Sequence, residues 1–115
     1  MDNENDRIDI YYTKEFKRNI RKLSRKYRHI KSDVQSVIND LKRNNTPGDK
    51  IPNIGYTVYK MRVKNSDISK GKRSGYRLIY YIKLKSEIIL VTIYSKSEQG
   101  DIPLDKLKKI INEFS

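Results

Sequence analysis

The chain has no cysteine, one histidine and three prolines in 115 residues. Without cysteine there is no disulfide, no thiolate nucleophile and no Cys-based metal site. His29 has no histidine or carboxylate beside it at metal-ligand spacing, so it reads as a surface residue at a helix end, and neither metal nor cofactor is expected. No apolar run is long enough for a membrane span or the core of a signal peptide. That predicts a cytoplasmic chain with no membrane partner. Gly71-Lys72 lies in the polar loop Lys64–Gly75, but the glycine spacing of a Walker loop is missing, which excludes a P-loop NTPase. There is no internal repeat, and the length fits one domain over 1–115, with 1–7 as a disordered acidic tail.

What the chain has is positive charge, a net +12. It is concentrated. Residues 14–31 carry nine Lys/Arg against Glu15, and residues 56–85 carry nine against Asp67. Such segregation points to a polyanionic partner. Lysines on a solvated surface would explain the charge alone, but not why arginine and tyrosine share a strand face with them.

Three runs predict that strand face. Tyr56–Lys64, Tyr76–Leu84 and Ile88–Lys96 are dense in β-branched and aromatic residues and are bounded by Gly, Asn, Asp and Ser. Strict alternation puts Tyr59, Met61 and Val63 on one side of the first run. Leu78, Tyr80, Ile82 and Leu84 share that kind of side in the second, and Ile89, Val91 and Ile93 in the third. One face is then apolar and covered, and the other carries Lys60, Arg62, Arg77, Tyr81, Tyr94 and Lys96 into water.

The remaining elements follow from periodicity. Ile8–Tyr12 alternates as an edge or first strand. Thr13 is a candidate N-cap for a helix from Lys14 whose core stripe is Phe16, Ile20, Leu23 and Tyr27. Ser32 and Gln35 fit a capping box for a second helix with Val34, Val37, Ile38 and Leu41 inward. Asn44–Asp49 breaks that helix, and Ile51–Gly55 reads as a connector. Asp101-Ile102-Pro103 opens a last helix whose apolar side, Leu104, Leu107, Ile110, Ile111 and Phe114, suits either the sheet or a partner helix. The order β-α-α-β-β-β-α is an α+β domain with a small, antiparallel-dominated sheet and helices on one face.

Tyr59-Lys60-Met61-Arg62-Val63, Gly71–Tyr81, and Leu90–Glu98 with Asp101-Ile102 together resemble toxins of the RelE/ParE superfamily, in particular the HigB-like branch with its Ile-Tyr-x-Lys-x-Glu ending. The likeness covers residues 8–104. It implies a RelE-like fold and a toxin of a type II toxin-antitoxin module, neutralised by a cognate antitoxin. It further implies a metal-independent endoribonuclease, an mRNA interferase that inhibits translation by cutting mRNA on the ribosome with the ribose 2′-OH as nucleophile.

By the same likeness Lys60, Arg62, Arg77 and Lys96 fall at or near the basic positions of the family. The chemistry needs positive charge on the phosphate, a proton acceptor and a proton donor. The family's tyrosine or other acid past the last strand corresponds to about Ile102, which cannot titrate. Either Lys60, Tyr94 or Glu98 takes the proton-transfer role, or the ribosome and RNA supply much of the reactivity. Lys64, Lys70, Lys72, Arg73, Tyr81 and Lys83 are candidate RNA-binding residues around them. The alternative is a non-catalytic toxin of the ParE kind, or a binding module, acting on DNA gyrase or on RNA without cutting it.

Overall fold

The computed structural model describes residues 7–68 and 75–114. The tail, apart from Arg7, and Lys70, Lys72 and Arg73 lie outside the described residues. The elements are β1 (Asp9–Tyr12), α1 (Lys14–Ser24), α2 (Ile30–Lys42), β2 (Asp49–Lys50), β3 (Val58–Val63), β4 (Tyr76–Leu84), β5 (Glu87–Ser95) and α3 (Leu104–Phe114). They form an α+β fold around one five-stranded sheet in the order β1-β5-β4-β3-β2. β1 runs parallel to β5 and the other pairs are antiparallel, so the sheet is antiparallel-dominated as expected.

Helices cover both faces, not the single face expected. α1 and α2 bury Phe16, Ile30, Val34, Val37, Ile38 and Leu41 against Val63, Tyr76, Leu78, Tyr80, Leu90 and Ile93. On the opposite face α3 places Leu107, Ile110 and Ile111 against Val58, Ile79, Ile89, Val91 and Tyr94. The alternation explains why two cores form. Val58, Ile79 and Ile89 are apolar residues on the face that also bears the cations, and leaving them in water would forfeit about 1.5–3 kcal/mol each. α3 removes that cost.

Strict alternation fails on β5. Ile79 pairs with Thr92 while Tyr80 pairs with Leu90, so Val91 is an extra residue. A bulge of this kind re-aims everything beyond it. Ile93 therefore joins Leu90 under α1 and α2 rather than sharing a face with Ile89 and Val91. A second shift, between Ile82 and Leu84, leaves Lys83 unpaired. Leu84 turns outward and is 56% exposed, where alternation had placed it in the core.

Thr13 is the N-cap of α1: its Oγ1 accepts from Phe16 N at 2.9 Å and donates to the Val91 carbonyl at 2.6 Å. α2 starts earlier than Ser32. It begins at Ile30, with His29 at the N-cap position, while Ser32 Oγ donates back to the His29 carbonyl. No capping box forms because Ser32 lies inside the helix, and Gln35 Nε2 donates instead to Asn39 Oδ1 at 3.0 Å. A carboxylate far away in sequence reaches the helix start. Asp67 accepts from His29 N at 2.9 Å and pairs with its Nδ1 at 2.6 Å. His29 is thus a surface residue at a helix end, but it does have a carboxylate neighbour.

The end of the breaker segment and Lys50 form β2, a strand that the breaker residues do not announce. Gly48 allows it: at φ +101° it lies so close to β3 that an added Cβ would sit 2.4 Å from the Lys60 carbonyl oxygen. From the opposite face Tyr80 OH donates to the Pro47 carbonyl at 2.6 Å and fixes this edge.

Thr13→Val should lower the unfolding free energy by about 2 kcal/mol, measured by urea titration, because it removes a cap and leaves the Val91 carbonyl without that donor. Asp67 supplies a pH test. Its hydrogen bonds from the His29 backbone and ring hold its carboxyl below the usual value of 3.8. A depressed folded pKa contributes stability above the unfolded value, and that contribution is lost as pH falls through the folded one. Asp67→Asn should therefore flatten the decline in urea midpoint between about pH 5 and about pH 2. An unchanged slope would remove Asp67 from the acid response.

Candidate functional site

Four cations from separate parts of the chain meet at the β3–β4 end of the sheet. β3 supplies Lys60 and Arg62, β4 supplies Arg77, and Lys96 follows the last residue of β5. With Pro47, Gly48, Asp49, Met61 and Asp101 they line an open basin of about 570 Å³. Four positive side chains face two carboxylates there. Arg62 and Arg77 are direct cross-strand partners. Like charges opposite each other on a sheet repel, so the arrangement favours an anion between them.

Arg77 is not the water-facing residue that alternation suggested. It is 9% exposed, flanked in register by Arg62 and Tyr94, and its Nη1 donates to the Tyr76 carbonyl at 3.4 Å. Burial follows from its position: both neighbouring strands are present, and the loop after β5 passes beside it. A buried guanidinium keeps its charge and gives up water contacts before any ligand arrives. Arg62, by contrast, is exposed.

Asp101 joins the site although the sequence marked it as a helix start and as part of the family likeness, not as a site residue. Its Oδ1 accepts from Lys60 Nζ at 3.2 Å and from Tyr94 OH at 3.5 Å. The Lys60 hydrogen bond, then its charge, hold the Asp101 carboxyl below the usual carboxylate value, with Lys96 adding to the effect. Burial pushes the Tyr94 hydroxyl up and Asp101 adds to that, while Arg77 pulls the other way. Tyr94 therefore holds its proton and presents a donor. Asp101 lies one position before Ile102, and Asp49 lies on the two-residue strand β2, which nothing in the sequence announces.

Other expected site residues are dispersed. Glu98 does not reach the basin. Its carboxylate accepts from Lys26 Nζ at 3.1 Å and from Tyr27 OH at 3.2 Å, on the α1 side. Tyr81 is half-buried, edge-on to Tyr56 at 5.2 Å, and packs into the core under α3, so its ring is occupied by protein. Lys83 is exposed but lies six residues along β4 from Arg77, about 20 Å at ordinary strand rise. Lys64 is exposed immediately after β3. Among the described residues no group of three or more His, Cys, Asp or Glu side chains could hold a metal ion, and no helix is long and apolar enough to cross a membrane.

The basin, then, is an open concentration of positive charge with two carboxylates in its lining and the Tyr94 phenol hydrogen-bonded to one of them. No curated protein matches the chain. The family described as RelE toxin of RelE / RelB toxin-antitoxin system matches it over residues 8–113, a span that includes both cores and every basin residue. The chain belongs to the RelE toxin family, the toxin half of a toxin–antitoxin pair.

Proposed function

We propose that this toxin cuts mRNA on the ribosome, acting in the cytoplasm, and that the basin is where it cuts. The observation that carries the reading is the opposition of Arg62 and Arg77 with Lys60 and Lys96 beside them. An RNA phosphodiester relieves their repulsion and gains most from them when its charge grows. RelE toxins are generally endoribonucleases, which supports the same reading, and a RelB-type antitoxin is the partner that neutralises it. The Tyr94-Ser95-Lys96-Ser97-Glu98 ending supports the HigB-like branch.

The reaction is an internal transfer. The ribose 2′-oxygen forms a bond to the adjacent phosphorus, the bond to the 5′-oxygen breaks, and a 2′,3′-cyclic phosphate remains. Arg62 and Arg77 hold the two non-bridging oxygens, which carry the added charge. Asp101 accepts the 2′ proton, and Lys60, already hydrogen-bonded beside it, delivers a proton to the leaving oxygen. Tyr94 orients the Asp101 carboxylate. A carboxylate held this acidic is a weak base, so proton abstraction contributes less than charge stabilisation. Removing one preorganised donor to a developing charge costs about a hundred- to a thousandfold in rate. The weakness of the base also favours a dependence on the ribosome, which positions the 2′-OH.

Arg62 is the residue to test, since its exposure separates function from folding. Arg62→Ala should keep the unfolding free energy within about 0.5 kcal/mol and lose about a hundredfold in cleavage. The buried Arg77 does not offer that separation: Arg77→Ala should lower both stability and cleavage. Mapping mRNA 5′ ends after brief induction should show cuts phased with codons inside translated frames for the wild type and almost none for Arg62→Ala. Growth arrest without such cuts would instead point to a non-cutting toxin acting on gyrase or RNA.

A further inference from the structure

We propose that Glu98 is a positioning residue, tying the loop that presents Lys96 and Asp101 to Lys26 and Tyr27, just beyond the C-cap of α1. The inference rests on the basin being the cleavage site. Both Lys96 and Asp101 come from the segment between β5 and α3. Lys96 is fixed at one end, where its backbone N donates to the Gly75 carbonyl at 3.1 Å. Asp101 is fixed at the other by Lys60 and Tyr94. Between them the chain turns, with Glu98 N and Gln99 N both donating to the Ser95 carbonyl.

Glu98 is the side chain of that turn that reaches another element. Its Oε2 takes hydrogen bonds from Lys26 Nζ and from Tyr27 OH. The Tyr27 ring is buried, edge-on to Tyr76 at 5.7 Å, so this anchor is rigid. α1 is itself held to β5: Asn19 Nδ2 donates to Thr92 Oγ1 and to the Ile93 carbonyl, each at 3.1 Å, and Thr13 bonds the Val91 carbonyl. The loop leaving β5 is thereby returned to the frame set by β5. The Lys26–Glu98 pair is largely exposed, at 62% and 43%, and such a pair contributes little to stability. Its effect is on where Asp101 stands relative to Lys60.

The test separates positioning from catalysis and from folding. Glu98→Gln keeps an acceptor oxygen for Lys26 and Tyr27, whereas Glu98→Ala removes the tie. With ribosome-bound mRNA, Glu98→Ala should lower kcat on the order of ten- to a hundredfold, the scale of a small misplacement at a reacting centre. KM and the melting temperature should change little, and Glu98→Gln should retain most of the turnover. Equal loss in both variants would overturn the proposal, because the hydrogen-bonded tie that Gln preserves would then not account for the turnover. A second readout needs no cleavage. In the full chain, NMR titration of the Asp101 carboxyl should give a depressed value in the wild type and in Glu98→Gln, and a return toward the ordinary carboxylate value in Glu98→Ala. An Asp101 titration indifferent to Glu98→Ala would sink the inference. If the wild type fails to cut mRNA while Asp101 still responds to Glu98→Ala, the cleavage reading falls and the positioning role stands.

Discussion

The bulge at Val91 is the constraint on which the site depends. The extra residue shifts β5 so that Ile93 enters the core under α1 and α2 while Tyr94 enters the opposite row beside Arg77. Thr13 holds the bulged carbonyl with the same hydroxyl that caps α1. One side chain thus sets the start of the first helix, the face-switch of the last strand, and, through Tyr94, the hydroxyl that meets Asp101. A one-residue slip in pairing moves every later side chain to the other face. Without the bulge, Tyr94 would point into the helix layer and Ile93 into the basin.

The same sheet face serves two opposed purposes. Under α3 it is apolar and dry. A few residues along, it carries Lys60, Arg62 and Arg77 with Lys96 above them. Fixing like charges across adjacent strands works against folding, and burying one guanidinium adds to that. The rest of the sheet offsets it with two cores and with pairing of Tyr76–Tyr81 of β4 on both sides. Charges held in place by strands lose little when a phosphate arrives, because their geometry is already set. A flexible lysine patch of equal net charge would bind RNA but stabilise a reacting phosphate less.

Much of the fold was legible because it is local. The limits of β4 follow from its β-branched and aromatic run between Gly75 and the turn Lys85-Ser86, and Thr13 announces α1 by chemistry alone. Lys60, Arg62, Arg77 and Lys96 were legible because strand alternation and the family likeness agreed on them. What failed was non-local. A bulge has no signature in the residues around Val91, so alternation puts Ile89 and Val91 on the face of Leu78 and Tyr80, where of the three only Ile93 belongs. β2 is only two residues long and exists because Gly48 lets the backbone press on β3. Asp67 reaches His29 across 38 residues of sequence, and Glu98 reaches Lys26 across 72. No periodicity encodes such contacts, and the Lys60–Asp101 pair, 41 residues apart in sequence, is of the same kind.

The parallel pairing of β1 with β5 has a consequence for how the protein is made. Asp9–Tyr12 closes the sheet only against Glu87–Leu90, and the basin is complete only when Asp101 has been added beside Lys60. Contacts of such sequence separation form late, since their loop must close before they stabilise anything. A growing chain that has not yet reached these segments therefore lacks both the β1–β5 pairing and the carboxylate that meets Lys60, and carries the cations of β3 and β4 without them.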